Sequence, residues 1–565
     1  MNSRHYLLPM LLFVGNCASA NTYFVSPSGN GGAAGTETDP FFLIQEAVEN
    51  CISVSDTIYL AEGSYWQHFT IEDKDGIYIS SIDPLNKSTL SGSGVEGLNQ
   101  IEISNANNIH IANIILREHF IQDANAIYMF GEGSNLLITD CEFYDIGWGN
   151  DPLADPENFS PIRQAHAILI NGRTETGIQN IYLGRNHFHN VIVGNSECIT
   201  LTGNTYDFLI EDNVLEDITN IGIDIAGHFS WALPVEIDET LNQSRNGRIR
   251  RNLVRRCRRP TAGNEPAGIY IDGGANVIVD RNEVYENGTG ISIGCENAGK
   301  TASGITIANN VIYNNDKFGS VFGANAGNLL NSTLRNNSFY NNGIFFDNSG
   351  SISIQKSADS FITDNIVYIT DEAYYGISAF GFAVENLMIV RNQLYSDDGL
   401  TPRVFAFSPA DESSSIVLNM PFQNPELVSL VEGDYNFNLQ NTSPCINEGN
   451  PSFSLLPEEF DFYGNTREIS IVDIGAAEGD FVDAINGAST FNFKLFPNPT
   501  NGQLIVQASS EIESIRVIDS TGKNLISVNN TLNEHHIDLS HLDSGIYLIE
   551  VRIVGEIVTE KLIVY

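Results

Sequence analysis

Positive charge is scarce in this chain: 565 residues carry 28 Lys and Arg against 70 Asp and Glu, a net charge of −42. Nucleic acid is thereby excluded as a partner, since phosphate binding needs the opposite sign, and the acidity reads as solubility outside the cell. Beyond the first twenty residues there is no apolar run long enough to span a bilayer, so the mature chain is expected to be soluble. Cysteine is sparse too. Cys51, Cys141, Cys198, Cys257, Cys295 and Cys445 show neither metal-ligand spacing nor the density of a disulfide framework. Buried thiols are the expectation, with a disulfide permitted by an oxidising route.

What is present starts with an export signal. Arg4, the apolar stretch from Tyr6 to Val14 and the small residues Ala18, Ser19 and Ala20 read as a secretory signal peptide over residues 1–20, with maturation at Asn21. A lipoprotein signal at Cys17 would want a small residue before it and finds Asn16.

The centre of the chain is periodic. Asn186, Asn213, Asn252, Asn282, Asn310, Asn337, Asn365 and Asn392 each follow a short apolar strand, at separations of 27, 39, 30, 28, 27, 28 and 27 residues. Most precede an apolar pair, as in Asn282-Glu-Val-Tyr, and Cys141 holds the equivalent place one rung earlier. A coil of about 27 residues with period-2 strands and no helical stretch predicts an all-β, right-handed parallel β-helix, with the asparagines as an internal hydrogen-bonded ladder. The 45-residue gap from Cys141 to Asn186 and the 39-residue gap after Asn213 predict two excursions, about 147–164 and 228–246. Such loops build the walls of a binding groove.

Three stretches carry resemblances. Thr22 to Asn30, a short amphipathic helix opening at Ile44-Gln45, and Asp56 to Leu60 resemble the entry segment of secreted, pectate-lyase-like β-helix proteins that act on polysaccharides; the helix would cap the first coil. Ser443 to Gly449 and Val472 to Glu478 resemble the segment that closes such coils. From Phe493 onward, Leu495-Phe-Pro-Asn-Pro-Thr-Asn-Gly502, Ile537-Asp-Leu-Ser540, Gly545-Ile-Tyr-Leu548 and the end at Lys561 to Val564 are similar to the type IX secretion sorting domain of Bacteroidetes. This resemblance implies a small β-sandwich, export through the periplasm to the medium or outer-membrane surface, and the secretion machinery as a partner. The expected organisation is a signal at 1–20, the β-helix at 21–440, its closing segment at 441–480, a linker at 481–492 and the sorting domain at 493–565.

Chemistry on a β-helix comes from side chains that point outward on adjacent rungs. Three rungs share a Gly-Ile-x-Ile strand, beginning at Gly222, Gly268 and Gly290, with the isoleucines inward. On these strands and their exits fall Asp224, His228, Tyr270, Asp272 and Glu296, with Glu197 on the rung before and Trp231 in the second excursion. Asp272 and Glu296, one rung and two strand positions apart, have backbones roughly 8 Å apart. That overlaps the carboxylate separations of glycosidases, about 5 Å for retention and about 6.5 to 9.5 Å for inversion. Mutual repulsion would keep one acid protonated beside an ionised base or nucleophile. Gly268 to Asp272 resembles the nucleophile strand of β-helix β-xylosidases, which implies Asp272 as nucleophile or base and Glu296 as acid, with Asp224 beside them; Glu296 stands two positions from the family's glutamate.

The alternative is a polysaccharide lyase, which would need a cation, with Ca²⁺ possible, to neutralise a uronate. Of the arginines between 248 and 259, register stacks Arg250 between Glu211 and Asp280, and Arg256 between Asp217 and Glu286. That leaves Arg248, Arg258 and Arg259 for an acidic substrate. His166, His187, His189 and Lys300 are further candidate bases. A third reading is a non-catalytic glycan-binding protein or adhesin. The reading adopted is a monomeric, secreted, carbohydrate-active β-helix enzyme, a hydrolase before a lyase, with a polysaccharide substrate and no obligatory cofactor or metal.

Overall fold

In the computed structural model the chain forms two compact units, Met1–Gly479 and Asp480–Tyr565. The structure describes residues 20–149, 163–260, 265–345, 349–370, 375–397, 399, 405–408, 411–413, 415–450, 459–467, 472–479, 493–496, 500, 502–508, 511–518, 524–529, 532–542, 545–553 and 556–564. The expected signal segment, most of the first excursion and the linker lie outside the described residues.

The first unit is a right-handed parallel β-helix. Each turn lays a strand in register on the turn before, so that Ile127, Ile168, Ile199, Ile223, Ile269 and Ile291 stack as one interior column, and all six are fully buried. β-branched residues suit a pleated wall with a dry inner face. A second sheet of 12 strands runs from Ser64–Tyr65 to Gln393–Ser396. At the start of the coil stand the strand Thr22–Asn30, the helix Ile44–Asn50, which buries Ile44, Ala47 and Val48, and the strand Asp56–Leu60.

The asparagine ladder forms as expected. Each Nδ2 donates to the Oδ1 of the next rung, from Asn186 to Asn213 at 3.0 Å through Asn365 to Asn392 at 2.9 Å, and Asn392 adds a further rung on Asn419 at 2.8 Å. Each Oδ1 also takes a backbone N–H, as Asn337 does from Asn310 at 3.0 Å. The residue before each ladder asparagine from Asn186 to Asn392 turns through the left-handed region, for example Asp212, Arg251 and Arg281. That tight turn aims the amide inward, where its polar atoms must be satisfied by their own kind. Cys141 sits at the foot of the ladder, its N–H donating to Asn186 Oδ1 at 3.0 Å. All six described cysteines are buried and unpaired, as expected.

Late in the chain, Glu459, Arg467 and Asp473 fasten to the side of the coil. Arg335 donates to both oxygens of Glu459 at 2.6 and 2.7 Å, Arg467 Nε to Asn309 Oδ1 at 2.8 Å, and Asn336 Nδ2 to the Asp473 carbonyl at 3.0 Å. The second unit holds two antiparallel sheets. One orders Phe493–Phe496, Gln503–Ala508 and Glu534–Asp538; the other orders Asn524–Asn529, Ile512–Ile518, Gly545–Ile553 and Glu556–Val564. Leu504, Val506 and Ile537 of the first pool with Ile515, Val517 and Val551 of the second in one core.

Candidate active site

Four consecutive strands of one sheet carry the predicted acids: Glu197–Gly203, Ile221–Ile225, Ala267–Asp272 and Thr289–Gly294. The glycine that opens three of them is a packing requirement. A Cβ on Gly222 would lie 2.6 Å from the Gly268 carbonyl and one on Gly290 2.4 Å from the Gly319 carbonyl, so a side chain there would push the next rung away. With that corner fixed, Ile223, Ile225, Ile269, Ile271, Ile291 and Ile293 point inward and the residues between them point out.

The register refines the sequence picture. Asp224 pairs across the rung with Tyr270, and Tyr270 with Ser292, while Asp272 pairs with Gly294. Asp272 thus stands two positions further along the sheet than Asp224, at the exit of its strand. Gly273 follows with φ 83° and turns the chain away. The Glu296 amide donates to Asp272 Oδ1 at 2.8 Å, and the Tyr270 hydroxyl lies 3.4 Å from Glu296 Oε1.

The structure brings Glu197, Asp224, Asp272 and Glu296 into one electrostatic group. Asp224 and Asp272 are buried, at 5% and 2% exposure, and Asp224 Oδ1 has no hydrogen-bond partner. Burial pushes the Asp224 carboxyl well up, and the charges of Glu197, Asp272 and Glu296 push it further. Asp272 is raised by burial and then by Glu296, with the Glu296 amide pulling the other way. Glu296 is exposed at the rim; crowding by protein atoms and the Glu197 charge raise it, against Tyr270 and Arg259. Tyr270 is raised by its own burial and by Asp272 and Glu296, so it remains a hydroxyl. Glu197 accepts from Thr200 Oγ1 at 2.9 Å and lies 3.7 Å from His166 Nε2, whose Nδ1 meets Asn125 Oδ1 at 3.1 Å. The cluster is therefore a set of neighbouring acids that cannot all ionise at neutral pH.

The second excursion stands beside it. Gly227 donates to the Asp272 carbonyl at 2.7 Å, Gln243 Nε2 to the Gly273 carbonyl at 2.6 Å, and Asn297 Nδ2 to the Gly227 carbonyl at 3.2 Å. His228 Nε2 lies 3.1 Å from the Thr301 carbonyl; burial lowers the imidazole pKa, the Thr301 carbonyl opposes it and Lys300 lowers it further. Lys300 pairs with Glu239 across the same loop. Trp231 is 54% exposed on this excursion, near Phe229, a flat apolar surface of the sort sugars stack upon.

Of the three predicted cations, two are corrected. Arg248 points from another strand, Arg245–Arg250, and grips Asp280 with Nε at 2.6 Å and Nη2 at 2.8 Å. Arg258 pairs with Asp316 at 2.7 Å. Arg248 is held by a bidentate partner and Arg258 by a buried one, so each already neutralises an acid of its own. Arg259 alone of the three bears on the group: its charge lowers Glu296 while its Nε donates to Asn220 Oδ1 at 3.0 Å. The stacked pairing of Arg250 with Glu211 at 2.7 Å and of Arg256 with Asp217 at 2.7 Å holds, but Asp280 serves Arg248 and Arg281 rather than Arg250. His187 and His189 lie on the twelve-stranded sheet, away from these acids.

With the fold and this geometry in hand, comparison with known proteins gives two family matches. Residues 167–365 match the right-handed β-helix region and residues 494–565 the secretion system C-terminal sorting domain. The chain is thus a right-handed parallel β-helix protein carrying a C-terminal sorting domain, and that domain marks it for export to the medium or the cell surface. It is similar to the uncharacterized protein YwoF of Bacillus subtilis (strain 168), 28% identical over 345 residues, 57% of this chain and 69% of that one. Among solved structures it is similar to the periplasmic alginate epimerase AlgG, with TM-score 0.40 and 15% identity over 68% of this chain and 84% of that chain. Pectate lyase Pel9A is similar with TM-score 0.31 and 13% identity over 81% of this chain and 96% of that chain.

Proposed function

We propose that the protein is a secreted carbohydrate-active enzyme, a glycoside hydrolase whose reaction is run by Asp272 and Glu296 with Asp224 behind them. The observation that carries this reading is the cluster of acids on consecutive rungs, two of them buried with no cation paired to them among the described residues, so that a proton is retained near neutral pH. Hydrolysis of a glycosidic bond needs one protonated acid at the leaving oxygen and one carboxylate at the other face of the sugar. Asp272, fixed by the Glu296 amide, serves as nucleophile or base. Glu296, exposed at the rim beside Tyr270, reaches the leaving group as acid. Asp224 holds a proton beneath them and sets the charge of the pair. Tyr270, Glu197, His228, Trp231 and Arg259 line the approach for the substrate.

β-Elimination would need cations to neutralise a uronate, and Arg248 and Arg258 are engaged with their own acids. The mature protein, offered a panel of neutral and uronate polysaccharides, should release reducing ends without the absorbance of unsaturated products. Unsaturated product would establish a lyase instead, and retained binding with neither product would establish a glycan-binding protein.

A further inference from the structure

The twelve-stranded sheet carries a second constellation, independent of the acids above. Glu142 opens the strand Glu142–Gly147, and His187 and His189 lie on the next turn in His187–Ile192. Glu142 pairs in register with His187 and Tyr144 with His189. Two positions apart on one strand, the two histidines share a face, and their rings are 4.5 Å apart. One nitrogen of each and one Glu142 oxygen all lie within 4.8 Å of one another, with His189 Nε2 3.1 Å from Glu142 Oε1.

The surroundings hold these rings in place. His189 stacks on Tyr144 at 4.9 Å and 11°. His187 Nε2 is 2.9 Å from Glu216 Oε1 on the following turn, and Arg255 and Arg256 reach the other oxygen of Glu216 at 2.5 and 2.7 Å. Glu216, itself gripped by two arginines, is placed to take the Nε2 proton of His187, which would turn the other ring nitrogen to a cation, the outer-shell arrangement common around metal-bound histidines. All three candidate ligands are partly exposed, so an ion can arrive without opening the fold.

We propose that Glu142, His187 and His189 bind a divalent cation of the zinc type, with solvent completing a four-coordinate site. Two imidazoles and one carboxylate suit zinc or a neighbouring transition ion and not the oxygen-seeking Ca²⁺ or Mg²⁺. Ligands at about 2.0–2.2 Å from zinc are roughly 3.3 Å apart, a closure that partly exposed side chains make by rotation. Its placement suggests its use: Glu142 stands just before the excursion expected at about 147–164 and the histidines follow it, so the ion staples the turns on either side of that excursion.

The full chain, stripped with a chelator and titrated calorimetrically with Zn²⁺ at pH 7.5, should take up one ion with micromolar or tighter affinity. H189A should weaken that site by tenfold or more, and E142Q, which keeps both rings, should weaken it as well, while H541A in the sorting unit leaves it unchanged. Zn²⁺ should also raise the melting temperature of the wild type and not of H189A. Absence of a stoichiometric site in the wild type, or an undiminished one in a folded E142Q or H189A, overturns the proposal. Tight Ca²⁺ binding at the same residues would do so too.

Discussion

Two regions of this coil place carboxylates on successive rungs and treat them in opposite ways. On the twelve-stranded sheet and the turn before it, Glu211, Asp212, Glu216 and Asp217 each meet an arginine from the next turn, Arg250, Arg251, Arg255 or Arg256. On the neighbouring sheet, Asp224 and Asp272 are more deeply buried and their strongest electrostatic neighbours are other acids. The first group is paired with cations and ties turns together. In the second, Asp224 is held protonated at a cost in stability, since burying an unpaired charge is costly and the group neutralises instead, and that proton lets its neighbour Asp272 act as the carboxylate. That contrast between the two groups is what the proposed acid–base site rests on.

The comparison breaks most plainly through activity. D272N should lower the hydrolytic rate by about 10³-fold or more, the scale of losing a positioned acid or base, with an unchanged circular dichroism spectrum; E296Q should act similarly, and E216Q should leave the rate within a small factor. The ladder supplies a reference for what pure scaffolding costs. N310A removes the bonds to Asn337 Oδ1 and the Val279 carbonyl and strands the groups of Asn282 that it accepted from. It should destabilise the β-helix by about 2–4 kcal/mol in chemical denaturation.

E216Q comes next, at about 1–3 kcal/mol from losing charged bonds to two arginines. Its pH signature has a fixed sign. Glu216 is depressed from 4.5 to about 2, so its contribution is present above pH 4.5 and lost as pH falls toward 2. Asp224 and Asp272 have the reverse sign. Each is raised from 3.8, Asp272 to about 8, so their contribution is full below pH 3.8 and lost as pH climbs through the folded values. D224N should therefore flatten the wild-type decline and be more stable than wild type at pH 8 by about 1–3 kcal/mol, with no advantage at pH 3. A wild type that gains stability from pH 4 to 8 relative to D224N would refute the unpaired state of these acids.

Much of this was legible before any coordinates. The asparagine spacing fixes the coil because a side chain that must satisfy its own copy one turn away cannot drift in register, and the Gly-Ile-x-Ile strands mark one corner where Gly222 and Gly290 leave no room for a side chain. The acids at 224, 272 and 296 were legible because they ride on those strands. Side-chain direction was not. Arg248 and Arg250 are both outward on one strand, and only the structure shows that Arg248 leans toward Asp280 while Arg250 turns back to Glu211. A second ladder, Asn287 to Asn315 at 3.1 Å and Asn315 to Asn342 at 2.8 Å, went unread although its spacing of 28 and 27 residues repeats the first. The Glu142, His187 and His189 cluster was hidden by the long interval that separates its members, which conceals that 142 and 187 are neighbours across a rung.

The central claim is that Asp224 carries a proton at neutral pH and the arginine-paired Glu216 does not. Infrared difference spectroscopy of wild type against D224N, and of wild type against E216Q, at pH 7 tests it directly. The account predicts a protonated-carboxyl carbonyl band that is lost in D224N and untouched in E216Q. A D224N difference spectrum that shows only the loss of an ionised carboxylate would contradict it.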